Sequence, residues 1–117
     1  TVMFSSPSFA KWTNIGTSVN GDTYYVDFER IKKQGGFVYY WSISDFSKPS
    51  EYGDLSTVVY KKVDCELFRY KYLSDSYYKE SMGEGETTSS SNKPDKEWKY
   101  APPNSLIETA LESVCSQ

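Results

Sequence analysis

The sequence predicts an α+β domain: an antiparallel sheet of about 5–6 strands with one C-terminal helix packed on one face. Three observations lead there. Aromatic and β-branched residues alternate with period two through most of residues 23–73. Glycine- and proline-marked turns punctuate them, Gly35-Gly36 and Pro49 to Gly53 above all. The last dozen residues alone change to a spacing of 3.6.

The first element is not a strand. Ser8-Phe9-Ala10, followed by Lys11-Trp12, is a small-x-small triplet of the kind that precedes a signal-peptidase cut. Residues 1–10 therefore read either as the remnant of a secretory signal or as a plain N-terminal arm, and residues 11–117 as a single domain. Thr23 to Ile31 alternates, with Tyr24, Val26 and Phe28 on one side and Tyr25, Asp27 and Glu29 on the other. Lys32 to Gly36 is a hairpin loop, and Phe37 to Phe46 the next strand. Ser56 to Val63 and Cys65 to Leu73 form a further pair around Asp64. Lys79 to Lys96 is polar and low in complexity, a loop with a short strand near Glu86 to Ser89. Glu97 to Tyr100 is a brief edge strand, stopped by Pro102-Pro103.

The helix announces itself by its cap. Ser105 and Glu108 have capping-box spacing. Leu106, Ile107, Ala110, Leu111, Val114 and Cys115 then share one face, giving a helix of roughly three turns.

Both faces of the strands are aromatic, which raises the question of what covers the second. If Cys65 points to the helix, Leu67 does too, while Phe68, Tyr70 and Tyr72 turn away. The more apolar set Phe37, Tyr39, Trp41 and Ile43 is then expected under the helix, with Val38 and Tyr40 facing away. Five strands make a sheet roughly 24 Å wide, which a three-turn helix covers on one face only. The other face is left for sheet curvature, the N-terminal arm, a second copy or a ligand.

Composition narrows the chemistry. The chain has 117 residues, 13 basic and 16 acidic, with net charge −3, a poor match to a phosphate backbone. No nucleic-acid partner and no transmembrane segment are expected, because no apolar run approaches roughly 18 residues. Histidine is absent and cysteine numbers two, which excludes His-based catalysis and Cys/His zinc sites. Against those absences stand 11 Tyr, 6 Phe and 3 Trp. Tyrosine supplies contact area at small entropic cost, although strands also favour it. Asp27 with Glu29, Asp45 with Asp54, and Glu84 with Glu86 are the carboxylate pairs left for an enzyme. No catalytic residue, cofactor or metal is assigned. In an oxidising compartment Cys65 and Cys115 pair; in a reducing one they are buried thiols.

The order of short motifs is more telling than any one of them. Trp12, "YYVD" from Tyr24, Ile31, the paired glycines and "YWSISDF" are followed by Ser56 and Asp64-Cys65. Arg69, "SYY" before "MGEG", Trp98, "PPNS" and Cys115 complete the series. This order resembles the surface-adhesin protein E family of small exported bacterial domains, over nearly the whole chain from Trp12. The resemblance implies an antiparallel sheet carrying a C-terminal helix, with a disulfide between Cys65 and Cys115. It also implies a periplasmic, cell-surface or secreted protein of a family whose founding members bind host extracellular-matrix and serum proteins. Lys11 stands where a lipid-anchored relative would carry its cysteine. The expectation is thus a non-catalytic binding module that engages an extracellular protein or glycan. Tyr25, Tyr40, Phe68, Tyr70 and Tyr72 are its candidate binding residues. A structural domain, or a homodimer formed through a sheet edge or face, is the alternative.

Overall fold

The structure, a computed structural model, describes residues 10–117. The signal remnant or arm read at residues 1–10 lies, except for Ala10, outside the described residues. One antiparallel sheet holds β1 (Thr13–Thr17), β2 (Thr23–Val26), β3 (Lys32–Gln34), β4 (Phe37–Asp45), β5 (Ser56–Asp64), β6 (Arg69–Tyr78) and β7 (Thr87–Ser91). The spatial order is β1-β2-β4-β5-β6-β7. β2 pairs with the end of β4 and β3 with its beginning. The helix α1 (Leu106–Cys115) packs on one face, as the sequence predicts.

Several boundaries move for identifiable reasons. The run expected from Thr23 to Ile31 breaks at Asp27, whose carboxylate is only 1 % exposed. It accepts Glu29 N–H at 3.0 Å and Arg30 Nε–H at 2.6 Å, which winds Phe28–Arg30 into a 3₁₀ turn. Gly35 and Gly36, at φ 63° and 84°, suffice for the hairpin turn, so Lys32–Gln34 is strand rather than loop. Thr13–Thr17 adds a strand the sequence did not suggest. The polar segment keeps its short strand as β7, whereas the 97–100 stretch makes a single bridge, Lys99 to Tyr70. Ser105 Oγ caps α1 by accepting Glu108 N–H at 3.1 Å. Glu108 Oε1 in turn accepts Asn104 N–H at 2.9 Å.

The larger correction concerns the faces. Tyr24, Val26, Val38, Tyr40, Val63 and Tyr70 pack against Ala110, Leu111 and Val114 of the helix, with Phe68 and Tyr72 beside them. Phe37, Tyr39, Trp41 and Ile43 lie on the opposite face, the reverse of the expectation. The cause is the turn after β5. Asp64 Oδ1 accepts Leu67 N–H at 3.2 Å and Phe68 has φ 55°, so Cys65 to Phe68 is a four-residue turn and no strand. Val63 pairs with both Tyr70 and Val38, so odd positions of β5 share a face with even positions of β4, and with those of β6 as far as Tyr72, where a bulge shifts the register.

That inward face also carries a charge. Lys61, 1 % exposed, places Nζ 4.8 Å from the Tyr24 ring centre, 5.5 Å from Tyr40, 5.7 Å from Tyr70 and 5.4 Å from Tyr72. Its ammonium donates to the Tyr24 hydroxyl. Ring faces are the negative ends of the aromatic quadrupole, so four of them solvate one ammonium where water is absent. Burial raises the Tyr24 phenol, but the adjacent ammonium outweighs it and holds the group below its usual value. Tyr40 goes the other way: burial, then the neighbouring Tyr24, lift it well above the ordinary range. Tyr72, Tyr70 and Tyr60 are also raised, each chiefly by burial.

The far end of the helix is tied down covalently. Cys115, in its last turn, is bonded to Cys65 in the β5–β6 turn, with Cα atoms 5.8 Å apart and a separation of 50 positions in sequence.

Tyr24→Phe should destabilise the fold by roughly 2–3 kcal/mol, because it leaves a buried ammonium without its hydroxyl. Lys61→Met, of similar shape and no charge, should cost less; urea denaturation compares the two. Groups titrating higher in the fold stabilise it fully below their unfolded value, about pH 10, and lose that contribution as pH rises through the folded value. Tyr40, Tyr72, Tyr70 and Tyr60 act in this sense, and Tyr24 in the opposite one. Stability should therefore fall above about pH 10, and Tyr40→Phe should flatten the fall, as read from denaturation midpoints across pH. Replacing both cysteines by alanine should cost up to about 4 kcal/mol, measured against the oxidised chain.

Candidate functional site

With even positions of β4 turned inward, its odd positions build the open face. Tyr39 stands opposite Lys62 of β5, Trp41 opposite Tyr60, and Ile43 opposite Val58. The Trp41 and Tyr60 rings are 4.6 Å apart, and Tyr60 to Tyr39 is 6.2 Å, so three half-buried rings make one platform. Tyr25, opposite Ile43 on β2, lies on this same face and is half-buried.

Three features frame the platform. At one end the Ser81–Gly83 turn covers Ile43, which is fully buried. Asp45 Oδ1 accepts Met82 N–H at 2.8 Å, and Ser56 Oγ accepts Gly83 N–H at 2.9 Å, pinning the turn. Gly83 has φ 72°, and a Cβ there would sit 2.9 Å from Val58 Cγ2, so no larger residue fits. At the side, the Arg30 guanidinium that Asp27 holds lies 5.5 Å from the Trp41 ring and 5.9 Å from that of Trp12.

The other end belongs to Trp98. Its indole stacks on Phe37 at 6.0 Å. Arg69 Cζ lies 4.5 Å from it, Lys71 Nζ 4.8 Å and Lys62 Nζ 5.9 Å. Arg69 donates to Asp64 at 2.9 Å. Burial opposes ionisation of that carboxyl, yet the Leu67 N–H and Arg69 hold it below the usual carboxylate range.

The residues singled out by sequence divide accordingly. Cys65 and Cys115 are bonded to each other. Tyr25 lies on the open face. Tyr40, at 0 % exposure, and Tyr70, at 8 %, are core, and Tyr72 and Phe68 pack at its margin under the helix. None of those four lies on the face away from the helix, where they were expected. Trp12, Arg30, Trp41, Tyr60, Lys62 and Trp98 were missed. One signal was available: consecutive lysines at 61 and 62 must point to opposite faces of a central strand.

Two of the three carboxylate pairs do other work, and Glu84 and Glu86 are exposed. Asp27 is spent on Arg30 and its own turn, while exposed Glu29 meets Lys11 at 3.5 Å. Asp54 accepts Thr88 Oγ1–H at 2.5 Å, beside a concavity of about 580 Å³ lined by Ser50, Tyr52 and Tyr77. That hollow adjoins β7, outside the aromatic platform. No group of three or more candidate metal ligands occurs among the described residues, and none of their helices is long and apolar enough to cross a membrane.

Comparison with known proteins agrees with this architecture. No curated protein matches the chain. Crystal form II of Haemophilus influenzae protein E superimposes with TM-score 0.67 at 19 % identity, covering 99 % of this chain and 97 % of that one. The selenomethionine form of Haemophilus influenzae protein E gives TM-score 0.67 at 19 % identity, over 97 % and 94 %. Protein E from non-typeable Haemophilus influenzae gives TM-score 0.61 at 19 % identity, over 98 % and 83 %. The model of the family described as surface-adhesin protein E matches residues 12–116. With sheet, helix, disulfide and family model in accord, the chain belongs to the surface-adhesin protein E family.

Proposed function

We propose that the chain is a non-catalytic, exported binding module that engages an extracellular protein or glycan through the open face of its sheet. The observation that carries this reading is the run of half-buried rings from Trp41 through Tyr60 and Tyr39 toward Phe37 and Trp98. Rigid aromatic groups held on paired strands lose little entropy on contact. Membership in a family of surface adhesins supports it, and a disulfide suits an oxidising compartment. Tyr25 joins the binding face. In this reading Tyr40, Phe68, Tyr70 and Tyr72 support the face from behind, through the core, rather than touch the partner.

One observation favours a second reading, a homodimer or structural domain without a host ligand. All five residues of β7 are exposed and no described strand pairs with its outer edge. Binding of the oxidised chain to an array of matrix proteins, serum proteins and glycans separates the two, together with sedimentation over a range of concentration. Trp41→Ala with Tyr60→Ala should weaken any saturable hit about 30-fold while leaving the circular dichroism unchanged. Tyr70→Ala with Tyr72→Ala should instead lower stability. Silence across the array, with concentration-dependent self-association, would favour the dimer.

A further inference from the structure

The cations around Trp98 are more numerous than their partners. Arg69 has Asp64, but among the described residues neither Lys62 nor Lys71 has a carboxylate within 4.0 Å. Lys71 donates only to the Lys96 carbonyl, at 3.3 Å. Lys62 and Lys71 are directly opposed on β5 and β6, so two like charges face each other at cross-strand distance. Such a pair is unfavourable in itself, and an anion shared between them relieves it beyond what the Trp98 and Phe37 rings supply. The rest of the chain does not explain it as a general excess, since the net charge is −3.

We propose that Lys62, Lys71 and Arg69 form an anion site for an acidic polysaccharide, whose sugar rings lie on Tyr39, Tyr60 and Trp41. The inference rests on the open face being the binding face and names its ligand class. Charge complementarity supplies the acidic group, a sulfate or uronate. The platform supplies the rest: a pyranose presents a flat C–H face that stacks on an aromatic ring. Tyr39 lies directly opposite Lys62, and Lys62 directly opposite Lys71, so ring and cations fall in one row across the strands. A peptide fits less well. The backbone groups of β4, β5 and β6 are engaged in the ladder, so the face offers an incoming main chain only side chains. Nucleic acid would need a longer cationic track.

The test is binding of the oxidised full chain to immobilised heparin, hyaluronate, neutral dextran and poly-glutamate, at low and physiological salt. Saturable binding to heparin or hyaluronate that weakens with salt is expected, with dextran silent. Lys62→Gln with Lys71→Gln should reduce it at least about tenfold, Tyr60→Ala should reduce it comparably, and Lys33→Gln, opposite inward-facing Val38, should leave it unchanged. Absence of saturable binding to both acidic polysaccharides overturns the proposal. So does equal binding to poly-glutamate, or a response to charge that Tyr60→Ala does not alter. If polysaccharides fail while Trp41→Ala with Tyr60→Ala still abolishes an array hit, this inference falls and the binding-face reading stands. If both fail, the face itself is misassigned.

Discussion

The arrangement depends on one ammonium group. Lys61 sits in the middle of the central strand with water excluded, and an unpaired charge there would be prohibitively costly. Four tyrosine rings and one phenol hydroxyl make the position tolerable. Tyr24 comes from β2, Tyr40 from β4, and Tyr70 and Tyr72 from β6, so the requirement of a single side chain reaches across four strands. Once those tyrosines are committed inward, period two does the rest. Tyr39, Trp41, Tyr60 and Lys62 have nowhere to go but the open side.

This coupling explains why the sheet and helix were legible in the sequence and the choice of faces was not. Ser105, the apolar spacing from Leu106 to Cys115 and the Gly35-Gly36 turn are local signals, each with a local cause. Face choice is not local. Phe37, Tyr39, Trp41 and Ile43 are more apolar than Val38, Tyr40, Ser42 and Ser44, so hydrophobicity alone favours the wrong side. What reverses it is solvation of a lysine on another strand, together with a turn whose Phe68 adopts positive φ. Residue type gives little warning of that conformation outside glycine and asparagine. β1 was missed for a plainer reason: Thr13–Thr17 holds a single large apolar residue, Ile15, and pairs through a bulge between Asn14 and Gly16.

The two faces use the same residue types to opposite ends. Under the helix, tyrosines surround a cation and are closed off by Leu111 and Val114. On the open face, the packed rings are flanked by cationic side chains, Arg30 beside Trp12 and Trp41 at one margin and Arg69 beside Trp98 at another. Guanidinium and ammonium groups beside these rings keep their own hydration and hold the rings in place. The outer face can thus remain aromatic in water without presenting one continuous oily patch.

The bond between Cys65 and Cys115 spans more than the helix it anchors. Every residue of β6, β7 and the exposed Ser- and Thr-rich stretch lies inside the covalent ring it closes. Exposed polar segments are where proteases cut first. A single cut anywhere between these cysteines would yield two polypeptides that remain joined, with the helix still fastened to the β5–β6 turn. Among the described residues, the longest exposed polar stretch is thus one whose scission releases nothing.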